Sequence, residues 1–561
     1  MEKHWLRHYP AGVAPEVPPE GPPTLPALIE DAARRWPERP AYRCLGRTLT
    51  YAELDEHSRA LAAWLRAQGL ARGDRVAMLL PNVPQLPVTV AAVLRAGLVL
   101  VAVDPQLAAR ELTQRLKDAG ARAVVVSEGA AATLDDVLEA LPPLHVVVAR
   151  LGDLLGPLHG ALVNHVVRRV RKQPAAGDGL PGAVRFADAL ARGRKLPQDL
   201  PAVSPDDIAL LPFTGGTTGT PKGAVLLHRH LVANVLQCEA WMGPALARLP
   251  AGEPWVTVGA LPLHHIFGFT VTLLLPWRVG GLVLLVPDAS DTGALLKTLA
   301  GQRFHCFPAV DPLFAAITAH PDATRVDWSP LRLALGGGGA VRPGTARTWA
   351  ALTGRPVCEG YGLTEASPCV TCNPVDLDAF DGSIGWPLPG TDIALLDDEG
   401  RPVAVGERGE LAVRGPQVMA GYWQRPDETA RVTAPGGWLR TGDIAQFDAQ
   451  GRLRLVDRKK DLIFVSGFNV FPGEVEDVLG QMPGVLECAA VGVPDERVGE
   501  AVKVVVVRRI GAGAGPTEAD VRLWCERHLT GYKRPRQVEF RDALPRSAVG
   551  KVLRRALRDP A

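Results

Sequence analysis

Cysteine is scarce. Eight residues in 561, scattered irregularly, are too few for a disulfide scaffold and suit free thiols in a reducing compartment. The one close pair, Cys369 and Cys372 in SPCVTC, has the spacing of half a metal site but no second pair or histidine cluster beside it. An excess of one charge is also missing. Sixty-two basic against sixty acidic residues leave +2, which excludes a nucleic-acid-binding surface spread over the molecule, though not a local patch. The longest apolar stretch, Ile266 to Val286, is broken by Pro276, Arg278, Gly280 and Gly281 and falls short of a membrane-spanning helix. The opening MEKHWLRHYPAGVAPEVPPEGPP has no continuous apolar core, so no secretion signal is expected and a cytoplasmic location is. No fixed-period repeat and no extended low-complexity tract is present.

What is present is a globular chain, 47% apolar, with length for about three or four domain-sized units. Residues 51–125 alternate helix, strand, helix, strand, helix, strand, the pattern of a parallel sheet. Between 385 and 456, runs such as DIALLDDEG, GELAVRG and GRLRLVD alternate apolar and polar residues between Gly- and Asp-rich turns, as a small antiparallel barrel or sheet would. The tail, 461–561, carries its own strands (ECAAVGV, VKVVVVRR) and helices (PGEVEDVLGQM, EADVRLWCERHL), enough for a separate domain. The expected fold is therefore α/β: a large N-terminal domain with parallel-type sheets, a β-barrel-like subdomain, and a small α+β C-terminal domain.

The segment TGGTTGTPKG, 214–223, concentrates four glycines and four threonines with Lys222. Glycines let the backbone approach a ligand, while hydroxyls, free N–H groups and an ammonium donate to oxygen anions. A phosphate cradle follows, placed at a strand's C-terminal end by the buried run DIALLPF before it. It is not the usual nucleotide loop, because Lys222 is followed by Gly223 rather than Ser or Thr. A plain structural turn is the bland alternative. Further segments suit a nucleotide. The glycines of LALGGGGAVRPG, 333–344, admit a flat base, Tyr361 of CEGYGLTEASP can stack on it, and Glu365 can ligate Mg²⁺. WLRTGD supplies Asp443 for a ribose, DRKKDLI supplies Arg458, and LPRSAVGKVLRR places Lys551 beside Gly550 on an expected exposed turn.

One segment points elsewhere. On a helix over ALVNHVVRRVRKQ, 161–173, Leu162, Val163, Val166, Val167 and Val170 share a face while Arg168, Arg169, Arg171 and Lys172 form most of another. Such a helix either lies on an anionic membrane, on the inner face of the cytoplasmic membrane here, or docks on the core with its basic residues solvated.

With these ordered motifs in hand, nearly the whole chain resembles the adenylate-forming superfamily, and within it bacterial long-chain fatty-acid–CoA ligases. The shared runs are TGGTTG, LPLHHIFG, EGYGLTE, GPQVMAGYWQRPDET, VDRKKDLIFVSGFNVFPGEVEDV and LTGYKRPRQVEFRDALPRSAVGKVLRR. The resemblance implies ATP, CoA and a long-chain fatty acid as substrates, Mg²⁺ as cofactor, and a mobile tail domain, 460–561, on a body of 1–459. It assigns Thr214, Gly215, Gly216, Thr217, Thr218, Gly219, Thr220 and Lys222 to the ATP phosphates, with Thr214 and Glu365 near Mg²⁺. Gly337, Gly338, Glu359, Gly360 and Tyr361 would surround adenine, with Gly362 in the same nucleotide set. Thr364 would meet the α-phosphate, Asp443 the ribose, and Arg458 ribose or phosphate. His265 would line the acyl site, Lys460 would mark the hinge, and Lys551 would be the catalytic cation. GALPLHHIFGFTVTLLLPW is a candidate wall for the acyl chain, or ordinary core.

Two departures are visible. Phe464 stands where many relatives carry lysine, and Ala548 and Val549 stand before Lys551 where a hydroxyl or amide is common. Acyl transfer to a carrier protein, a carrier-fused synthetase, a light-emitting relative and a noncatalytic fatty-acid-binding protein are the rival readings, and the retention of Lys551, Glu365 and Asp443 counts against the last. Oligomeric state stays open, a homodimer included.

Overall fold

A computed structural model describes residues 3–17, 21–171, 180, 182–214, 221–465, 468–495, 497–509, 515–547 and 550–558. The helix–strand alternation over 51–125 appears as helices Tyr51–Ala67, Gln85–Arg95 and Ala109–Ala119 interleaved with strands Arg75–Leu79, Val99–Ala102 and Ala121–Ser127. Local chemistry sets the ends. Thr50 accepts the Glu53 N–H while the Glu53 carboxylate accepts the Thr50 N–H, a capping box that starts the first helix. Gly120, at φ 61°, ends the third in a left-handed turn that a side chain would strain.

The strands join a largely parallel sheet ordered Leu226–Leu227, Ile208–Leu210, Val99–Ala102, Arg75–Leu79, Ala121–Ser127, His145–Ala149, Val184–Arg185 among the described residues. Strand Val99–Ala102 is buried throughout, as a parallel strand covered on both faces should be. A second sheet orders Trp386–Pro387, Cys369–Cys372, Val357–Gly362, Leu333–Gly336, Cys306–Ala309, Val256–Gly259, Leu282–Leu285, Pro40–Cys44 and Arg47–Thr50. One continuous apolar core takes residues from both sheets, from Val76 and Leu100 to Val283, Leu333 and Cys358, with Trp64, Leu94, Leu231 and Trp241 of the helices among them.

The region 385–456 holds antiparallel strands Asp392–Leu396, Arg408–Arg414, Trp438–Phe447 and Leu453–Arg458, with short Thr433–Ala434 at one edge. The tail pairs Val485–Asp495 with Gly499–Arg508 and packs helices Pro472–Gly480 and Glu518–His528 over a core that includes Val475, Leu479, Val504, Val506, Val521 and Cys525. The apolar stretch from Ile266 is short helical segments followed by strand Leu282–Leu285, and no helix among the described residues is long and apolar enough to cross a membrane.

The segment 161–173 divides at its end. Helix Pro157–Arg171 forms, while residues 172–173 lie outside the described residues. Its expected apolar face is split: Val163 and Val167 are half-buried, while Leu162 and Val166 are exposed. Leu158, Leu162 and Val166 are 87%, 61% and 48% exposed, while Gly160, pressed against Gly152, and Asn164, accepting the Gly152 N–H, hold another side of the helix down.

Candidate active site

The sequence motifs converge because parallel strands end together. Residues after strand Leu333–Gly336 and along Val357–Gly362 meet Ala102–Asp104 and Phe213–Thr214 from the other sheet around a cavity of about 560 Å³. Thr441, Asp443 and Arg458 add a wall from the antiparallel sheet, Tyr422 joins them from the connection after strand Arg408–Arg414, and Lys460, Ser547, Lys551 and Leu553 close it from the tail. Of the residues singled out from sequence, Thr214, Lys222, His265, Gly337, Gly338, Gly360, Tyr361, Gly362, Thr364, Glu365, Asp443, Arg458, Lys460 and Lys551 all line this one cavity. Gly215, Gly216, Thr217, Thr218, Gly219 and Thr220 lie outside the described residues, as do Ala548 and Val549.

Glu359 is placed differently. Although Tyr361, two residues on along strand Val357–Gly362, lines the cavity, the buried Glu359 side chain is absent from the lining. Its carboxylate accepts the Val341 N–H, and burial pushes its pKa up to about 8. It buttresses the glycine loop from behind instead of facing the cavity. At Gly337 a Cβ would stand 3.0 Å from the Phe267 ring, so only glycine leaves that wall flat.

Asp443 and Arg458 face each other across paired strands, 3.1 Å apart, and the Tyr361 hydroxyl donates to Asp443 at 2.6 Å. Register and burial make this a fixed acceptor flanked by a cation. Lys551 reaches the same place from a hairpin in which Ser547 N–H donates to the Lys551 carbonyl at 2.8 Å. The hairpin is not the exposed turn expected: Gly550 packs against Pro312 and Val310, which carries Lys551 into the cavity. Burial first, then the Arg458 charge, pulls the Lys551 pKa down to about 7 against the opposing pull of Asp443. Lys460 is lowered by burial and then by Arg458 as well.

His265 caps the short helix Ile266–Gly268, its Nδ1 accepting the Phe267 N–H at 3.3 Å, which leaves the ring proton on Nε2. Burial, then neighbouring His264, lowers its pKa to about 4, so it is a neutral donor at ordinary pH. Thr214 and Lys222 are register partners at the base of the glycine–threonine loop. The Lys222 ammonium is held by Glu428 and lies 5.2 Å from the centre of the Tyr422 ring.

Two residues escaped the sequence reading. Tyr422 donates its hydroxyl to Glu365 at 2.6 Å, and Glu428 holds Lys222 across 206 residues of sequence. Tyr422 sits in GPQVMAGYWQRPDET and was findable as the polar aromatic of that run. Glu428 had no local signal, since its partner is brought to it only by the fold. Around the wall, Cys372 lies beside Cys358, with 3.7 Å between sulfurs, in place of the metal-like partnership its spacing to Cys369 raised.

The chain is similar to known proteins over its full length. It is 47% identical over 562 residues to the long-chain-fatty-acid–CoA ligase of Salmonella typhimurium, covering 100% of this chain and 99% of that protein. It is 37% identical over 527 residues to the feruloyl-CoA synthase of an Amycolatopsis species, covering 94% and 96%. Among solved structures, ATP-bound MatB from Rhodopseudomonas palustris superposes with a TM-score of 0.79 at 28% identity, covering 95% of this chain and 98% of that one. The AMP-binding enzyme pattern matches residues 29–423, the AMP-binding enzyme C-terminal domain matches 474–551, and the chain belongs to the AMP-binding enzyme family.

Proposed function

We propose that the protein is an ATP-dependent long-chain fatty-acid–CoA ligase. The observation that carries this reading is the single cavity, in which an anion-binding end built from Thr214, Lys222, Arg458 and Lys551 continues into an apolar arm walled by Trp241, Met242, Val271, Leu275 and Leu333. A carboxylate head and a long apolar tail fit those two ends together, and each buried methylene is worth about 0.8 kcal/mol.

The chemistry follows from the poor electrophilicity of a carboxylate. Its oxygen attacks the α-phosphorus of ATP, pyrophosphate leaves, and the mixed anhydride carries AMP as a good leaving group. The CoA thiol then attacks the acyl carbonyl and AMP departs. Lys551 supplies a preorganised cation where charge gathers on oxygen, and the His265 Nε2–H donates to the acyl carboxylate. Thr364 meets the α-phosphate, Asp443 accepts from the ribose hydroxyls, and Arg458 bonds ribose or phosphate while its charge offsets Asp443. Thr214 and Glu365 present hard oxygen ligands to the same cavity, and with one Glu365 oxygen bonded by Tyr422 the other is open to Mg²⁺. When bound, Mg²⁺ neutralises phosphate charge. Residues 460–561 form the mobile unit. For the second step it swings about Lys460, withdrawing Lys551 and admitting the thiol.

The test is AMP formation from ATP and palmitate with and without CoA. Turnover that requires both acid and CoA supports the ligase, and AMP made equally without CoA would replace it with an adenylating enzyme of another acceptor.

The substrate's usual reservoir is a lipid bilayer, and the helix Pro157–Arg171 is the part suited to meet it. Leu158, Leu162 and Val166 recur every four residues as one exposed stripe, and exposed Arg169 continues it by three. We expect the protein to float with vesicles containing phosphatidylglycerol. Leu158→Glu/Leu162→Glu/Val166→Glu should lose at least about tenfold in partitioning, a threshold met by withholding from lipid even about 1.4 kcal/mol of the burial that three apolar side chains offer. Equal flotation of the variant would refute membrane contact through this helix.

A further inference from the structure

We propose that Trp255 is the floor of the apolar arm and sets the longest chain the enzyme accepts, an inference that rests on the ligase reading above. The strand registers give the arm a direction. Thr257 pairs with Cys306 and Cys306 with Leu333, so these three form one row across the second sheet. Side chains alternate along each strand: Trp255, Thr257, Cys306, Leu333 and Leu335 line the cavity, while Val256, Val258 and Ala334 turn into the separate core on the opposite face. The nucleotide end of the cavity lies at Gly337, four residues above Leu333, and Trp255 lies two residues below Thr257. At roughly 3.3 Å per residue those six positions span about 20 Å.

Trp255 is built as a stop. It is 2% exposed, and its carbonyl accepts the Leu282 N–H at 2.8 Å, which fixes the backbone. Its indole stacks on His305 with ring centres 5.6 Å apart. His305 is itself pinned from both sides, with Nδ1 accepting the Val256 N–H at 3.0 Å and Nε2 3.1 Å from Glu253, a carboxylate that also holds Arg303. A methyl terminus reaching this depth meets a ring backed by the pinned His305.

The experiment is the profile of kcat/KM against chain length for saturated acids, with wild type, Trp255→Ala, Trp255→Leu and Leu333→Phe. Variants are scored when they keep the wild-type KM for ATP, which reports an intact nucleotide end and fold. Shortening the ring should move the upper limit to longer acids, gaining roughly tenfold for every two further methylenes seated. Leu333→Phe, one row above the floor, should move it to shorter acids. Trp255→Leu is close enough in character to fold where alanine leaves too large a void. An unmoved limit in the folded variants overturns the assignment of Trp255 alone. A wild-type protein that adenylates no fatty acid of any length overturns the ligase reading with it.

Discussion

Lys551→Ala should slow adenylation by at least about a hundredfold, the cost of losing one preorganised donor, while leaving acyl transfer from supplied acyl-adenylate to CoA much less affected. The asymmetry follows from placement. The hairpin docks Lys551 into the cavity beside Asp443 and Arg458; in the proposed reaction it would face charge developing on phosphate and carboxylate oxygens, and the proposed second step would follow its withdrawal with the tail. Burial and the Arg458 charge lower its pKa to about 7, so the cation is the majority form only below that value. For the free enzyme, kcat/KM of adenylation should therefore fall as pH rises through about 7, approaching tenfold per unit above it. Lys551→Arg keeps its charge over that range and should flatten the limb whatever rate it retains. Equal loss in both half-reactions, or a pH limb unchanged by arginine, would remove Lys551 from this role.

Glu365→Gln should reduce adenylation by about a hundredfold at low Mg²⁺ and raise the Mg²⁺ concentration for half-maximal rate by at least about tenfold, since weakening even the groups that orient a metal's ligands costs about 10- to 100-fold. Glutamine preserves shape, and its amide oxygen still accepts the Tyr422 hydroxyl. What it removes is the negative charge that a hard divalent cation prefers. The distinguishing readout is the metal titration. A loss of rate with an unchanged Mg²⁺ requirement would make Glu365 a positioning residue for Tyr422 and the loop it holds.

Much of this site was legible because its parts are punctuated by glycine and cluster at strand ends. The alternation over 51–125 specified a parallel sheet, and glycine-rich segments after strands marked where a nucleotide end would be. Lys551, Asp443 and Arg458 are separated by up to 108 positions; the Asp443 carboxylate could be read as a ribose acceptor by itself, while the roles of Lys551 and Arg458 came from the family resemblance. Local reading failed where the decisive fact was a long-range contact or a strand face. Glu359 sits in the same motif as Tyr361 and Glu365, but its buried carboxylate accepts the Val341 N–H and supports the loop without reaching the cavity. Burial of the Lys551 hairpin depends on Pro312, more than two hundred residues away, and nothing in LPRSAVGKVLRR announces it. The amphipathic pattern over 161–173 foretold a helix and left open whether its apolar face would dock; that Leu162 and Val166 stay exposed took the structure to show. The floor at Trp255 needed the registers of three strands before an isolated tryptophan acquired a depth.

The central claim is that one cavity turns a fatty carboxylate into an adenylate and then a thioester. It is tested most directly by a single turnover with excess enzyme, ATP, Mg²⁺ and palmitate, quenched and analysed by mass spectrometry before and after a chase with CoA. Palmitoyl-adenylate that accumulates without CoA and is converted to palmitoyl-CoA by the chase is the predicted result. An enzyme that forms no acyl-adenylate, or forms one that CoA does not consume, would contradict it.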